Sequence, residues 1–264
     1  MLKLPLFVSA LTFLMVSSDP ARALPTSGEK PSESTSERGL SGFELSIRPG
    51  YGSASASSPV TYEAAPLAYH PDPGALYSGS AAPYGAGFAG QAAAGYRFLP
   101  IMSAGAYAET RSSSVDALDD GSSDVSRSAF GLGIYGRGYA PMLLRDFDPY
   151  LELGVGYVKD TQSYRRNVAT TVGAIPGDWK LTHHGVAVPV TLGVSYRVLP
   201  MLALGPSVRY AYVFGAGACL KESVSTPLGG VSSSNCSDAS SAQRVTRADS
   251  YGVWSAGLDL RLTL

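Results

Sequence analysis

Eleven charged residues carry most of the chemistry this 264-residue chain could do: Glu44, Arg48, Arg97, Glu109, Arg111, Arg137, Glu152, Arg197, Arg209, Asp259 and Arg261. Each lies in a stretch where residues of one parity are large and apolar and residues of the other parity are small or polar. Each belongs to the small and polar set. Guanidinium and carboxylate groups gathered away from bulk water must pair or stay hydrated, because an unpaired buried charge is costly. The expected chemistry is a network of arginine–carboxylate bridges. The seven arginines outnumber the four acids, so any water path left through the network would favour anions.

Other reactive patterns are weaker. "GLGIYG" at 131–136 has the G-x-G-x-x-G spacing of a dinucleotide site, but that fingerprint needs a following helix in a βαβ unit. These glycines fall inside an alternating pattern, where their expected role is space and strand bending. "SSVDALDDGSSD" at 113–124 gathers Asp116, Asp119, Asp120 and Asp124. Calcium takes several clustered oxygens, yet the spacing is not that of an EF-hand loop. An exposed polar turn is expected, with a divalent-ion or lipopolysaccharide-bridging site as the alternative. No metal site, cofactor or catalytic residue is expected. Cys219 and Cys236 are the two cysteines. In an exported chain a disulfide between them is the default reading, with free thiols or pairing to another chain the alternatives.

The elements that must position these residues are strands. In "HHGVAVPVTLGVSYRV" (183–198), Val186, Val188, Val190, Leu192, Val194, Tyr196 and Val198 alternate with Gly185, Ala187, Pro189, Thr191, Gly193, Ser195 and Arg197. That is the period of a β-strand. The pattern occurs eight times, at about 42–52, 86–98, 101–112, 127–139, 149–161, 183–198, 201–214 and 250–264. Short links at 99–100, 140–148 and 199–200 alternate with long ones at 53–85, 113–126, 162–182 and 215–249. "YRFLPIMSAG" (96–105) resembles "YRVLPMLALG" (196–205), as hairpins built alike would.

The faces without large apolar side chains cannot fill a soluble barrel, whose interior needs bulky aliphatics. The aliphatics must then lie outside, in contact with lipid. Strands of roughly 11–16 residues exceed the roughly 9–11 that a tilted membrane crossing needs. Closure into a ring satisfies every backbone polar group where water is absent. An even strand count, short turns at one end and long loops at the other complete the pattern. Tyr96, Phe98, Tyr196, Tyr212, Phe214 and Trp254 near strand ends fit interfacial girdles. The expected fold is all-β, an eight-stranded antiparallel up-and-down transmembrane β-barrel. In a soluble lipocalin-like barrel the charged residues would line the outer face instead.

The N-terminus reads as a secretory signal: Lys3, the apolar run "LPLFVSALTFLMV", and "ARA" with cleavage after Ala23. This predicts a signal peptide at 1–23, a flexible periplasmic tail at 24–41 rich in Ser, Glu and Pro, and a barrel at 42–264. No later segment holds the roughly 18 consecutive apolar residues of a membrane-spanning helix. A formal net charge of −1 gives no field for nucleic acid.

On these strands, the chain over 42–264 resembles the eight-stranded outer-membrane barrels typified by the transmembrane domain of outer-membrane protein A. "VWSAGLDLRLTL" resembles the C-terminal strand read by the barrel-assembly machinery in that class, with Leu264 in place of the usual phenylalanine. The resemblance implies a Gram-negative outer membrane, both termini in the periplasm, and outer-membrane lipid and lipopolysaccharide as neighbours. No cell-wall-binding domain is expected after the last strand. Lipid A deacylase barrels pair a histidine with a serine two residues on. Here Gly185 follows His183 and Val186 follows His184 at that spacing, so surface or interfacial histidines are expected. Proteolytic barrels use ten strands and rim carboxylates. The expected role is non-enzymatic, structural or surface-interacting, with a lumen plugged by charge. A surface ligand could bind loop 53–85, where Tyr62, Tyr69, Tyr77 and Tyr84 stand among prolines. The alternatives are a narrow, gated, anion-preferring pore and a lipid-modifying enzyme.

Overall fold

The structure, a computed structural model, describes residues 41–54, 60–64, 77–80, 86–114, 123–140, 147–170, 173–226, 229–236, 247–248 and 250–264. The expected signal peptide at 1–23, nearly all of the expected tail at 24–41, and Asp116, Asp119 and Asp120 lie outside the described residues. Every described element is a strand. In chain order they are β1 (Gly42–Ala54), β2 (Val60–Ala64), β3 (Tyr77–Ser80), β4 (Gly87–Leu99), β5 (Met102–Ser114) and β6 (Ser123–Tyr139). There follow β7 (Phe147–Thr170), β8 (Gly173–Leu199), β9 (Leu202–Thr226), β10 (Gly229–Cys236), β11 (Arg247–Ala248) and β12 (Tyr251–Thr263).

Eight of them close a ring. β1, β4, β5, β6, β7, β8 and β9 pair in sequence, and β12 joins β9 back to β1. Every pairing is antiparallel. The seam is completed at one end by Phe43 N–H donating to the Leu264 carbonyl (3.1 Å) and Leu264 N–H donating to the Phe43 carbonyl (2.8 Å). The tight turns at Leu99–Met102 and Leu199–Leu202 lie at the same end.

The alternation sorts side chains as a barrel in lipid requires. Phe43, Leu45, Ile47, Phe130, Leu132, Ile134, Leu192, Val208 and Leu258 project outward; Ile134 is 63% and Leu192 60% exposed. Glu44, Glu152, Thr191 and Asp259 project inward and are buried. Exposure of so much contiguous apolar surface to water would be unfavourable; facing hydrocarbon, it is not.

Three strands run further than the sequence pattern indicates. The links expected as loops at 162–182 and 215–249 are largely strand: β7, β8 and β9 rise 24, 27 and 25 residues, and β10 adds to β9 where β12 stops. Together they form a sheet overhanging the barrel. Alternation inverts where the overhang begins. Tyr157, Val186 and Phe214 are the last large outward apolar residues; beyond them Lys159, Lys180 and Lys221 point out, while Val158, Trp179, Leu181 and Leu220 are buried inside. The register between β8 and β9 slips at His184/Gly185, with one extra residue, Ala216, on β9. A bulge at this height is the usual way a barrel wall bends at its rim. Within loop 53–85, β2 and β3 form a three-stranded sheet with β11.

Two substitutions test the placement of lipid and water. Ile134→Arg at the middle of the outward belt is expected to lower stability by about 2–4 kcal/mol. Lys159→Ala above the belt is expected to change it by less than about 0.5 kcal/mol. Urea titration of the chain folded in lipid vesicles reads both; equal effects would place the belt in water.

Candidate functional site

The charged lumen is built from the inward faces of all eight staves, so residues remote in sequence converge. Glu152 on β7 lies at its centre. Arg48 donates both terminal nitrogens to it, Nη1 to Oε1 (2.7 Å) and Nη2 to Oε2 (2.6 Å). Arg137 donates Nε (2.9 Å) and Nη2 (2.6 Å) to the same Oε2. Arg48 also reaches Asp259 through Nε (3.2 Å) and Gln91 through Nη1 (2.9 Å). Planar guanidinium groups suit such multiple contacts, whereas an ammonium would act as a point charge. A second group centres on Glu109, which accepts from Arg209 (2.6 Å) and Arg111 (2.8 Å). Glu44 accepts the Tyr139 hydroxyl (2.7 Å) and lies 3.8 Å from Arg97 and 3.7 Å from Arg137.

The structure thus puts all eleven charged residues read from the sequence on the inner face, in three connected groups. Arg197 sits at the tight-turn end, half-exposed, with Arg261 deeper. Both are turned toward Asp148, a carboxylate that the sequence pattern places in the link 140–148. Arg197 donates to it at 3.0 Å, and Arg97 and Arg261 stand 4.0 and 3.9 Å away. Asp148 belongs to β7, whose start at Phe147 is obscured in the sequence by Pro149. A further pair, Arg127 with Asp160 (2.9 Å), lies at the other end, where Tyr251 also donates to Asp160 (3.2 Å). These two sit at the fringes of their alternating runs, where the outward apolar partners that mark parity have ended.

Aromatic rings fill the space between charges. Arg97 stacks 3.9 Å from the Tyr139 ring centre, Arg261 4.9 Å from the same ring, and Arg209 4.8 Å from Tyr107. The first two glycines of "GLGIYG", Gly131 and Gly133, make room for this packing. A Cβ on Gly133 would lie 2.6 Å from the Tyr107 ring, and one on Gly131 2.9 Å from the Glu109 side chain. Both glycines are in β6, a strand, with no helix following.

His183 corrects an expectation. It is buried in the lumen, 5.3 Å from the Tyr251 ring centre; its parity is that of Gly185 and Ala187, so it faces inward. His184 faces outward and packs 6.1 Å from Tyr157. Cys219 and Cys236 form a disulfide between directly opposed residues of β9 and β10, so the bridge joins two paired strands within the overhanging sheet. Among the described residues, no three His, Cys, Asp or Glu side chains are grouped as a metal ion would require.

No family model matches the chain, and no curated protein matches it. Solved structures similar to it include Neisserial surface protein A (14% identity, 84% of this chain and 97% of that one, TM-score 0.47). A major outer membrane protein from Thermus thermophilus is similar at 16% identity, over 83% of this chain and 99% of that one, with a TM-score of 0.49. The outer membrane protein OprG from Pseudomonas aeruginosa is similar at 16% identity, over 85% and 98%, with a TM-score of 0.44.

Removing Glu152 takes from two buried guanidinium groups the carboxylate they share, and Glu152→Ala is expected to destabilise the barrel by about 3–5 kcal/mol. The exposed pair of Arg165 with Asp178 (3.1 Å) offers the contrast: Arg165→Ala should lose less than about 1 kcal/mol. Equilibrium unfolding in detergent measures both, and similar losses would show that the lumen pairs are hydrated like surface ones.

Proposed function

We propose that the chain is a non-enzymatic outer-membrane β-barrel with a closed lumen, whose working surface is the overhanging sheet and the long links beside it. The observation that carries this reading is that two unlike layers of buried side chains follow one another along the lumen. The lower layer is the arginine–carboxylate network with Tyr107, Tyr135, Tyr139 and Tyr150. The upper layer is a mainly apolar cluster of Ala129, Val158, Ala187, Val213, Tyr251 and Val253. Two cavities beside these layers hold about 30 Å³ each, room for a few water molecules.

The lumen charges form ion pairs with one another, and buried His183 lies against Tyr251. The apolar outward belt supports a membrane location, and the expected signal peptide supports export to the outer one. In that setting the tight-turn end and both strand termini face the periplasm, where the alternating β12 is presented to the barrel-assembly machinery. The disulfide-linked β9–β10 pair then faces outside, together with loop 53–85 as a candidate ligand surface.

Conductance tests the closed lumen. Mature chain 24–264, refolded and showing a boiled-versus-unboiled gel shift, is expected to be silent in planar bilayers. Val213→Gly with Tyr251→Gly opens the upper layer and should be silent too, because the charge layer remains. Discrete openings from the unaltered chain would overturn the reading and make the inward arginines the filter of an anion-preferring pore.

A further inference from the structure

The cations of the described residues are divided by type. The inward ones are all arginines, whereas the described lysines, Lys159, Lys180 and Lys221, all point outward on the overhang of β7, β8 and β9. Lys180 and Lys221 are register partners, with Ser163 opposite Lys180 on β7 and Ser234 opposite Lys221 on β10. Directly opposed residues share a face of the sheet. The result is a row across four strands: hydroxyl, ammonium, ammonium, hydroxyl. Among the described residues neither lysine is joined to a carboxylate by a salt bridge, and Asp178, which shares their face, is held by Arg165. A cavity of about 420 Å³ opens over the first three members of this row, Ser163, Lys180 and Lys221, and is lined also by Arg165, Asp178, Trp179 and Ser223.

Like charges directly opposed across a sheet are destabilising by themselves; an anion between them reverses the sign. The height of the row identifies the anion. Lys159 is two residues beyond Tyr157 and Lys180 six residues beyond Val186, which at about 3.4 Å per residue is roughly 7 and 20 Å along the strands from the apolar belt. The cations thus climb away from the hydrocarbon boundary on the face turned toward neighbouring lipids, not into the lumen. We infer that the Ser163–Lys180–Lys221–Ser234 row binds the phosphate groups of a phosphorylated glycolipid headgroup in the outer leaflet. The inference rests on the outer-membrane orientation proposed above. Lysine suits the role: a compact, mobile charge that meets phosphate as a point cation. The Cys219–Cys236 bridge lies two residues from both Lys221 and Ser234, holding the two right-hand members of the row in register.

The test uses the mature chain refolded in neutral detergent, with bisphosphorylated lipid A and its dephosphorylated form, identical in acyl chains, as probes. The chain is expected to bind the phosphorylated form roughly 10–30-fold more tightly, from about 1 kcal/mol per lysine near an anionic surface. Lys180→Gln with Lys221→Gln should reduce that preference to under about threefold, and Lys180→Arg with Lys221→Arg should keep most of it. Without lipid A, the double glutamine variant should be at least as heat-resistant as the parent by gel shift, because the opposed charges are gone. Equal binding of the two lipid A forms by the parent, or an undiminished preference in the glutamine variant, would overturn the site. Inorganic phosphate competing mole for mole with lipid A would overturn the lipid assignment. A chain that fails to insert into vesicles refutes the membrane-barrel reading instead, whereas one that inserts without phosphate preference refutes this site alone.

Discussion

The backbone bonds that join Phe43 to Leu264 and carry β12 onto β1 decide what every other residue can do. With hydrocarbon outside, an unpaired edge strand would leave a row of N–H and C=O groups without water, at several kilocalories per mole each. Closing the seam removes that edge and turns eight inward faces toward one axis. Only then do Arg48 from the first stave, Glu152 from the fifth and Asp259 from the last come within hydrogen-bond distance.

What fills the axis follows from its width. An eight-stranded ring leaves an interior just large enough for side chains. The charged pairs do not obviously stabilise the barrel relative to apolar filling, since desolvation offsets much of the attraction. They do fix geometry: a two-nitrogen contact such as Arg48 on Glu152 tolerates little shift between β1 and β7. Rings over guanidinium groups and glycines under rings complete the packing. Aliphatic filling would have left no signal to distinguish inside from outside, and the outward belt would lose its meaning in the sequence.

The contrast between faces is why most of the barrel was legible. Where lipid lies outside, strands such as 183–198 advertise their parity with seven large residues in register. The contrast disappears above the belt. There water bathes the outer face, so Lys159, Thr182 and Lys221 turn out, while Trp179, Leu181 and Leu220 turn in. The segment "WKLTHHG" carries both phases within a few residues and reads as a loop. His183 was misplaced by this inversion. Asp148 was missed for a different reason: it is the second residue of its strand, before any run of alternation exists to assign it a side. The pairing of Arg127 with Asp160 lay beyond reach because two fringe residues become neighbours only through the register of β6 on β7.

The sequence distances spanned by the lumen contacts bear on how such a chain reaches its final state. Arg48 and Asp259 are 211 positions apart, Arg48 and Glu152 104, Arg209 and Glu109 100. None of these contacts can form inside a single hairpin. Until the first and last staves meet, several guanidinium groups have no carboxylate, and a partly assembled sheet cannot enter lipid without dragging bare charge with it. Non-local pairing of this kind is slow. Insertion and closure must therefore proceed together: the charge that locks the finished barrel is the same charge that holds an unfinished one at the membrane surface.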